Sequence, residues 1–250
     1  LGLLVLALPS VILNTSALGQ ADTFWVAPCL LSVAAAIEGK PARTAAWGGF
    51  AFAVKQQAAW LAPFVIYYLI INRAKPHAWL AAPLAFVLAW LPAWLSGWPL
   101  FDLLMTYPDQ ATTIPRKGPF TENGASLWTL LAEISREANF AYRWLGIPLA
   151  FGAAVWLIMK MPRKPDTEQL MVAAILSAGT IPILLPLMHE RFFMLADILA
   201  FLFALAFPTK RNIALAIIVQ IASAWPVLTW QFRLQPTHLI APPLMAGALW

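Results

Sequence analysis

Apolar residues run in long stretches broken by short polar punctuation, and that pattern predicts a bundle of helices. The stretches lie near 1–13, 24–38, 44–55, 57–72, 77–96, 143–160, 169–187, 192–208, 212–231 and 237–250. Runs such as Trp79–Trp94 and Phe192–Phe207 carry few charges, as helices crossing a hydrocarbon core roughly 30 Å thick require. The expected fold is all-α and integral to the membrane, a polytopic bundle of about 8–10 transmembrane helices. Residues 44–55 and 57–72 are each short, so they form either a hairpin or one broken helix.

Residues 97–142 depart from this pattern. Leu100, Leu103, Leu104 and Tyr107 fall at i, i+3, i+4 and i+7, and so do Leu127, Leu130, Leu131 and Ile134. Each set predicts an amphipathic helix lying in the membrane interface. Trp128, Glu133, Arg136 and Glu137 occupy other positions of the second helix. Between the two, Thr112–Gly124 holds Arg116, Lys117, Glu122 and an Asn123-Gly124 turn. A loop this long is either a passive cap or a substrate lid.

Composition strengthens the membrane reading. Of 250 residues, 61% are hydrophobic and 11% charged, whereas a soluble domain carries about 25% charged residues. Many of the 13 Trp stand near the ends of apolar runs, as in an interfacial aromatic belt. The single cysteine, Cys29, excludes an intrachain disulfide and a thiolate metal cluster; it reads as a small apolar filler. The opening run, Leu1–Leu13, is too short to span and lacks the basic region of a signal peptide. Residues 1–250 are therefore expected to be one transmembrane domain, the carboxy-terminal portion of a longer protein without its first helices.

Charge then assigns sides. Lys40 and Arg43, Arg73 and Lys75, Lys160, Arg163 and Lys164, and Lys210 and Arg211 mark four short connections, which the positive-inside rule makes cytoplasmic. The net charge of +5 is thereby explained by orientation, and no nucleic-acid partner is expected. The alternate connections, at 14–23, 55–57, 97–142, 188–191 and 231–236, fall outside. So do Gly19-Gln20-Ala21-Asp22, Lys55-Gln56-Gln57 and Met188-His189-Glu190-Arg191-Phe192. Ionisable groups at membrane depth are costly and point to function.

Each of these residues has a structural reading beside the chemical one. Asp22 either caps the helix that begins at Thr23 or serves as an acid/base or cation ligand, with Gln20 bonding sugar hydroxyls. A divalent cation is accordingly a candidate cofactor. Lys55 either snorkels from a hairpin tip or, beside Gln56 and Gln57, neutralises a lipid phosphate. Glu190 and Arg191 either form a packing pair or, with His189 as proton carrier, let Arg191 grip a phosphate bidentately. Helical spacing places Asp197 on the face of His189 and Glu190. No Gly-rich phosphate loop, nucleophile elbow or His/Cys metal spacing occurs, so no metal site is predicted. Asn14-Thr15-Ser16 matches a glycosylation sequon, a motif too common to use.

The order Gly-Gln-x-Asp, Lys55-Gln56-Gln57, Thr121-Glu122-Asn123 leading to Leu127-Trp128, then Met-His-Glu-Arg-Phe resembles membrane glycosyltransferases of the GT-C type. The likeness is to bacterial polyprenyl-phosphate-mannose-dependent mannosyltransferases related to GPI mannosyltransferase II, over roughly residues 14–208. The resemblance implies inverting transfer of a hexose, mannose first, from a polyprenyl-phosphate sugar to a glycan, lipid or protein acceptor. It places the active face on the extracytoplasmic side of the inner (plasma) membrane. It also implies substrate contacts for Gln20, Lys55, Gln56, Asn123, Trp128, His189, Glu190 and Arg191, with Asp22 as a catalytic candidate. The family's catalytic carboxylate is expected in an outer loop upstream of Leu1, so the chain alone is expected to be inactive. Two other readings stay open: a transporter lined by the same charges, and a lipid-linked glycan polymerase or ligase.

Overall fold

The computed structural model describes residues 2–112, 123–134, 140–234 and 237–250. Arg116, Lys117, Thr121, Glu122, Arg136 and Glu137 lie outside the described residues, and so do most of the segment read as cap or lid. Among the described residues every element is helical, apart from one isolated β-bridge. The chain is an all-α membrane protein.

Thirteen α-helices follow in order among the described residues. They are α1 (Gly2–Leu6), α2 (Pro9–Ile12), α3 (Thr23–Ile37), α4 (Pro41–Val54), α5 (Ala62–Ile71), α6 (Pro76–Leu95) and α7 (Leu100–Thr112). There follow α8 (Leu127–Ile134), α9 (Phe140–Lys160), α10 (Thr167–Leu184), α11 (Met194–Ala206), α12 (Lys210–Phe232) and α13 (Ala241–Leu249). Local chemistry sets several of these boundaries. Pro41 and Pro76 open α4 and α6 at the first helical position, where a missing N–H costs nothing. Asp166 and Gln169 close a reciprocal capping box on α10.

Among the described residues three helices are long and apolar enough to cross a membrane, α6, α10 and α12, and shorter apolar helices accompany them. Several of the expected helices are shorter than the apolar runs that predict them. The reason lies at the helix ends, where residues leave the helix to build turns. The expected helix 169–187 stops at Leu184, before Pro186 and a left-handed Leu187 (φ 60). The expected helix 192–208 starts only at Met194. The expected loop 14–23 is instead partly helical, a π-turn over Leu13–Ala17. On α6 only Ala78 is buried, while Leu80, Leu84, Leu88 and Leu95 are exposed, the face a helix turns to lipid.

Residues 44–72 form the hairpin. Lys55 is extended (φ −156, ψ 133), a 3₁₀ turn covers Gln56–Leu61, and α5 then returns. The near ends of α4 and α5 meet again at one cavity, lined by Lys40 and Arg43 and by Arg73 and Lys75. Tyr67 on α5 donates to the Pro162 carbonyl at 2.5 Å, and Arg211 and Glu168 line a further shared cavity. All four basic connections therefore gather at one end of the bundle.

Close packing holds α4 against α6. A Cβ on Gly49 would stand 2.1 Å from the Ala82 carbonyl oxygen, so only glycine permits this approach. Tyr107 of α7 donates to the Phe52 and Ala53 carbonyls at 2.7 and 2.9 Å, tying the first amphipathic helix to the end of α4. On α8 the leucines at 127 and 131 are exposed, whereas Trp128 and Thr129 are buried. Two leucines of the expected apolar face thus point outward.

Candidate functional site

The other end of the bundle gathers the polar clusters. Asp22 ends the turn before α3 and is 1% exposed. It occupies the cap position but makes no capping bond with its side chain, because other donors take both oxygens. Oδ1 accepts from Lys55 Nζ and from Trp25 Nε1 at 3.0 Å, and Oδ2 from Asn14 Nδ2 at 2.9 Å. Arg191 Nε lies 3.6 Å from Oδ2. Three segments distant in sequence, the 13–22 turn, the hairpin tip and the turn after α10, thus meet on one carboxylate.

Glu190 is buried beside it and accepts from Arg191 Nη1 at 2.9 Å. His189 Nδ1 stands 3.7 Å from Glu190 Oε2, with its side chain 38% exposed. Phe192 lies below the cations. Lys55 Nζ is 5.7 Å and Arg191 Cζ 5.4 Å from its ring centroid, in cation–π range, and the His189 ring meets it edge-on at 4.9 Å. Trp60 supports Phe192 at 5.3 Å and Trp25 in turn at 5.8 Å, so an aromatic column fixes the floor.

Electrostatics follow the geometry. Burial opposes the charged form of Asp22, yet Lys55, Asn14 and Trp25 outweigh it and hold the carboxyl below the usual carboxylate range. Burial likewise opposes ionised Glu190, and bonds from His189, its own backbone and Arg191 overcome it, so its pKa too is lowered. Among the described residues no three His, Cys, Asp or Glu side chains gather closely enough to hold a metal ion. Asp22 and Glu190 meet Lys55 and Arg191 instead.

The remaining expected residues fall around this core. Asn123, at φ 63, forms the β-bridge with His189, and Gly124 N–H donates to the Met188 carbonyl at 3.0 Å. A Cβ on Gly124 would lie 2.5 Å from that oxygen. Trp128 is buried and donates to the Leu184 carbonyl at 2.7 Å, just before the site turn. Gln20 is half-buried, with its backbone N–H on the Asn14 carbonyl at 3.0 Å. Gln56 is exposed on the 3₁₀ turn, while Gln57 Oε1 is buried without a hydrogen bond.

Asp197 corrects the sequence reading. Residues 190–193 form a turn after the bridge at His189, and the helical register begins only at Met194. The count from His189 therefore does not carry across. Asp197 is fully buried and faces Ser10 of α2 and Ser223 of α12. One partner escapes the sequence reading. Asn14 sits in the sequon-like triplet, and the π-turn directs its amide inward. Phe192 belongs to the Met-His-Glu-Arg-Phe motif, and the fold sets its ring beside both cations.

A family model described as Glycosyltransferase family 87 matches residues 1–187. The matched stretch includes Asp22, Lys55, Asn123 and Trp128 and ends just before His189. No curated protein and no solved structure matches the chain.

Proposed function

The chain belongs to glycosyltransferase family 87 and is a membrane glycosyltransferase; from that premise we propose that it is a GT-C type enzyme moving a hexose, mannose first, from a polyprenyl-phosphate sugar to an acceptor outside the cytoplasm. The observation that carries this reading is the meeting of Lys55 and Arg191 on Asp22, beside half-exposed His189, at the end opposite the basic connections. Under the positive-inside rule that end faces outward. Lipid phosphates lie at this level, and a lipid-linked donor requires no nucleotide-binding loop. Family membership favours sugar transfer over transport.

In the proposed reaction an acceptor hydroxyl attacks the anomeric carbon as the carbon–oxygen bond to phosphate breaks, inverting the centre. The polyprenyl phosphate leaves with one more negative charge. Lys55 and Arg191, pre-oriented by Asp22 and Glu190, stand ready for that developing charge. The acceptor proton passes to His189, whose Nδ1 side faces Glu190; the carboxylate steadies the imidazolium that forms. Asp22, surrounded by donors and held ionised, is a poor base and acts by positioning both cations. Gln20 and Gln56 border the same turns and are assigned to sugar hydroxyls, while Asn123 and Trp128 hold the turn that carries His189.

Membranes carrying the protein, supplied with labelled polyprenyl-phosphate mannose or with a nucleotide sugar, test the reading. Transfer from the lipid-linked sugar alone supports it. Transfer directly from the nucleotide sugar overturns it.

A further inference from the structure

The opposite end of the bundle holds a second arrangement that the proposed chemistry does not use. Lys40 and Arg43, before and within the first turn of α4, and Arg73, Lys75 and His77, around the start of α6, line one cavity of about 580 Å³. Glu38 answers part of this charge, through Lys40 at 2.6 Å. The helices themselves add to it. Neither Lys40 nor Lys75 makes a capping bond with its side chain at the starts of α4 and α6. Two helix N-termini, each with partial positive charge, thus open beside the cations.

Cations at a helix N-terminus oppose the macrodipole and cost stability unless an anion is present. The chain also holds Arg73 in a left-handed conformation, φ 46, within this connection. The positive-inside rule accounts for charge in these connections, but not for what lies next to it. An apolar cavity of about 450 Å³ lies between α4, α5 and α6. Its lining includes Ala45, Leu69 and Trp79, each within about a turn of Arg43, Arg73 or His77. From there it continues along the hairpin past Gly48 and Val65 to Phe86. A polar chamber for an anion therefore adjoins an apolar chamber for a hydrocarbon chain, and both are lined by α4 and α6.

We propose that this pair of cavities binds one anionic glycerophospholipid, its phosphate among Arg43, Arg73 and Lys75 and an acyl chain along α4–α6. The ligand is a lipid of the leaflet that this end faces. The site is separate from the sugar-transfer cluster and does not depend on which donor that cluster uses. Basic pockets between membrane helices on the cytoplasmic side recognise acidic headgroups.

The test is native mass spectrometry of the purified protein in delipidated detergent micelles. Phosphatidylglycerol and phosphatidylcholine with matched acyl chains are titrated separately, with inorganic phosphate as a third arm. The expected result is retention of phosphatidylglycerol about tenfold above phosphatidylcholine, unaffected by phosphate. Arg43→Gln/Lys75→Gln should erase the preference, and Lys210→Gln/Arg211→Gln, on another basic connection, should leave it intact. Equal retention of the two lipids overturns the proposal, a comparison that needs no variant. Displacement of the lipid by phosphate overturns it too, because the site would then hold only a simple anion. Preference surviving Arg43→Gln/Lys75→Gln places the lipid elsewhere and also overturns it.

Discussion

Arg191 holds its Nε 3.6 Å from Asp22 Oδ2 while its Nη1 donates to Glu190 Oε1 at 2.9 Å. One guanidinium thus stands between two buried carboxylates, and its remaining N–H groups are held in a fixed direction. In the proposed chemistry that direction is where the donor phosphate docks.

Arg191→Ala should lower transfer by about 10²–10³-fold, the range for loss of one charge-stabilising donor. Arg191→Lys should recover only part, since an ammonium cannot span both carboxylates in a planar fork. The check is initial rate against donor concentration. Wild-type turnover in Arg191→Ala would remove this side chain from the phosphate site.

The lowered pKa values of Asp22 and Glu190 predict an acid-sensitive fold. Each carboxyl is harder to protonate folded than unfolded. Its stabilisation is therefore full above the unfolded values, about 3.9 and 4.3, and is lost as pH falls through the folded ones. Thermal stability of wild type should fall steeply below about pH 4, and Asp22→Asn should unfold earlier at pH 7 with a flatter acid limb. An unchanged acid limb would show that Asp22 gains nothing from its partners.

Gly49→Val should destabilise by about 1–3 kcal/mol or more, because its side chain would begin 2.1 Å from a main-chain oxygen on α6. Gly48→Ala should cost less, since its nearest neighbour is a Val65 methyl at 3.3 Å. Detergent-phase melting temperatures of the two variants separate these outcomes. Equal melting temperatures would contradict the close α4–α6 approach.

Sidedness is open to direct labelling. With buried Cys29 replaced by Ala, Ser96→Cys at the end of α6 should react with an impermeant thiol reagent in intact cells. Lys164→Cys should react only after permeabilisation. The reverse pattern would put the Asp22 cluster on the cytoplasmic side and sink the lipid-donor reading as written.

Much of this site is legible in the sequence because a membrane makes charge conspicuous. Asp22, Lys55, Glu190 and Arg191 interrupt apolar runs, and alternation of basic connections sorts them to one end, where the fold brings them together. Asn14 is not legible, because an amide in a polar triplet reads as surface until the π-turn directs it inward. Asp197 misleads for the opposite reason. Periodicity counts residues through a turn that is not helical, and the side chain ends up facing Ser10 and Ser223. Helix lengths fail at the same places, since the residues that shorten α10 and α11 are those that build the site turn.

The bridge between Asn123 and His189 has a mechanical meaning. Two peptide planes tie the far portion of the 97–142 segment to the backbone that aims the imidazole, and Gly124 leaves no slack in that coupling. In the proposed chemistry, the backbone at Asn123 and Gly124 therefore sets where the His189 imidazole stands.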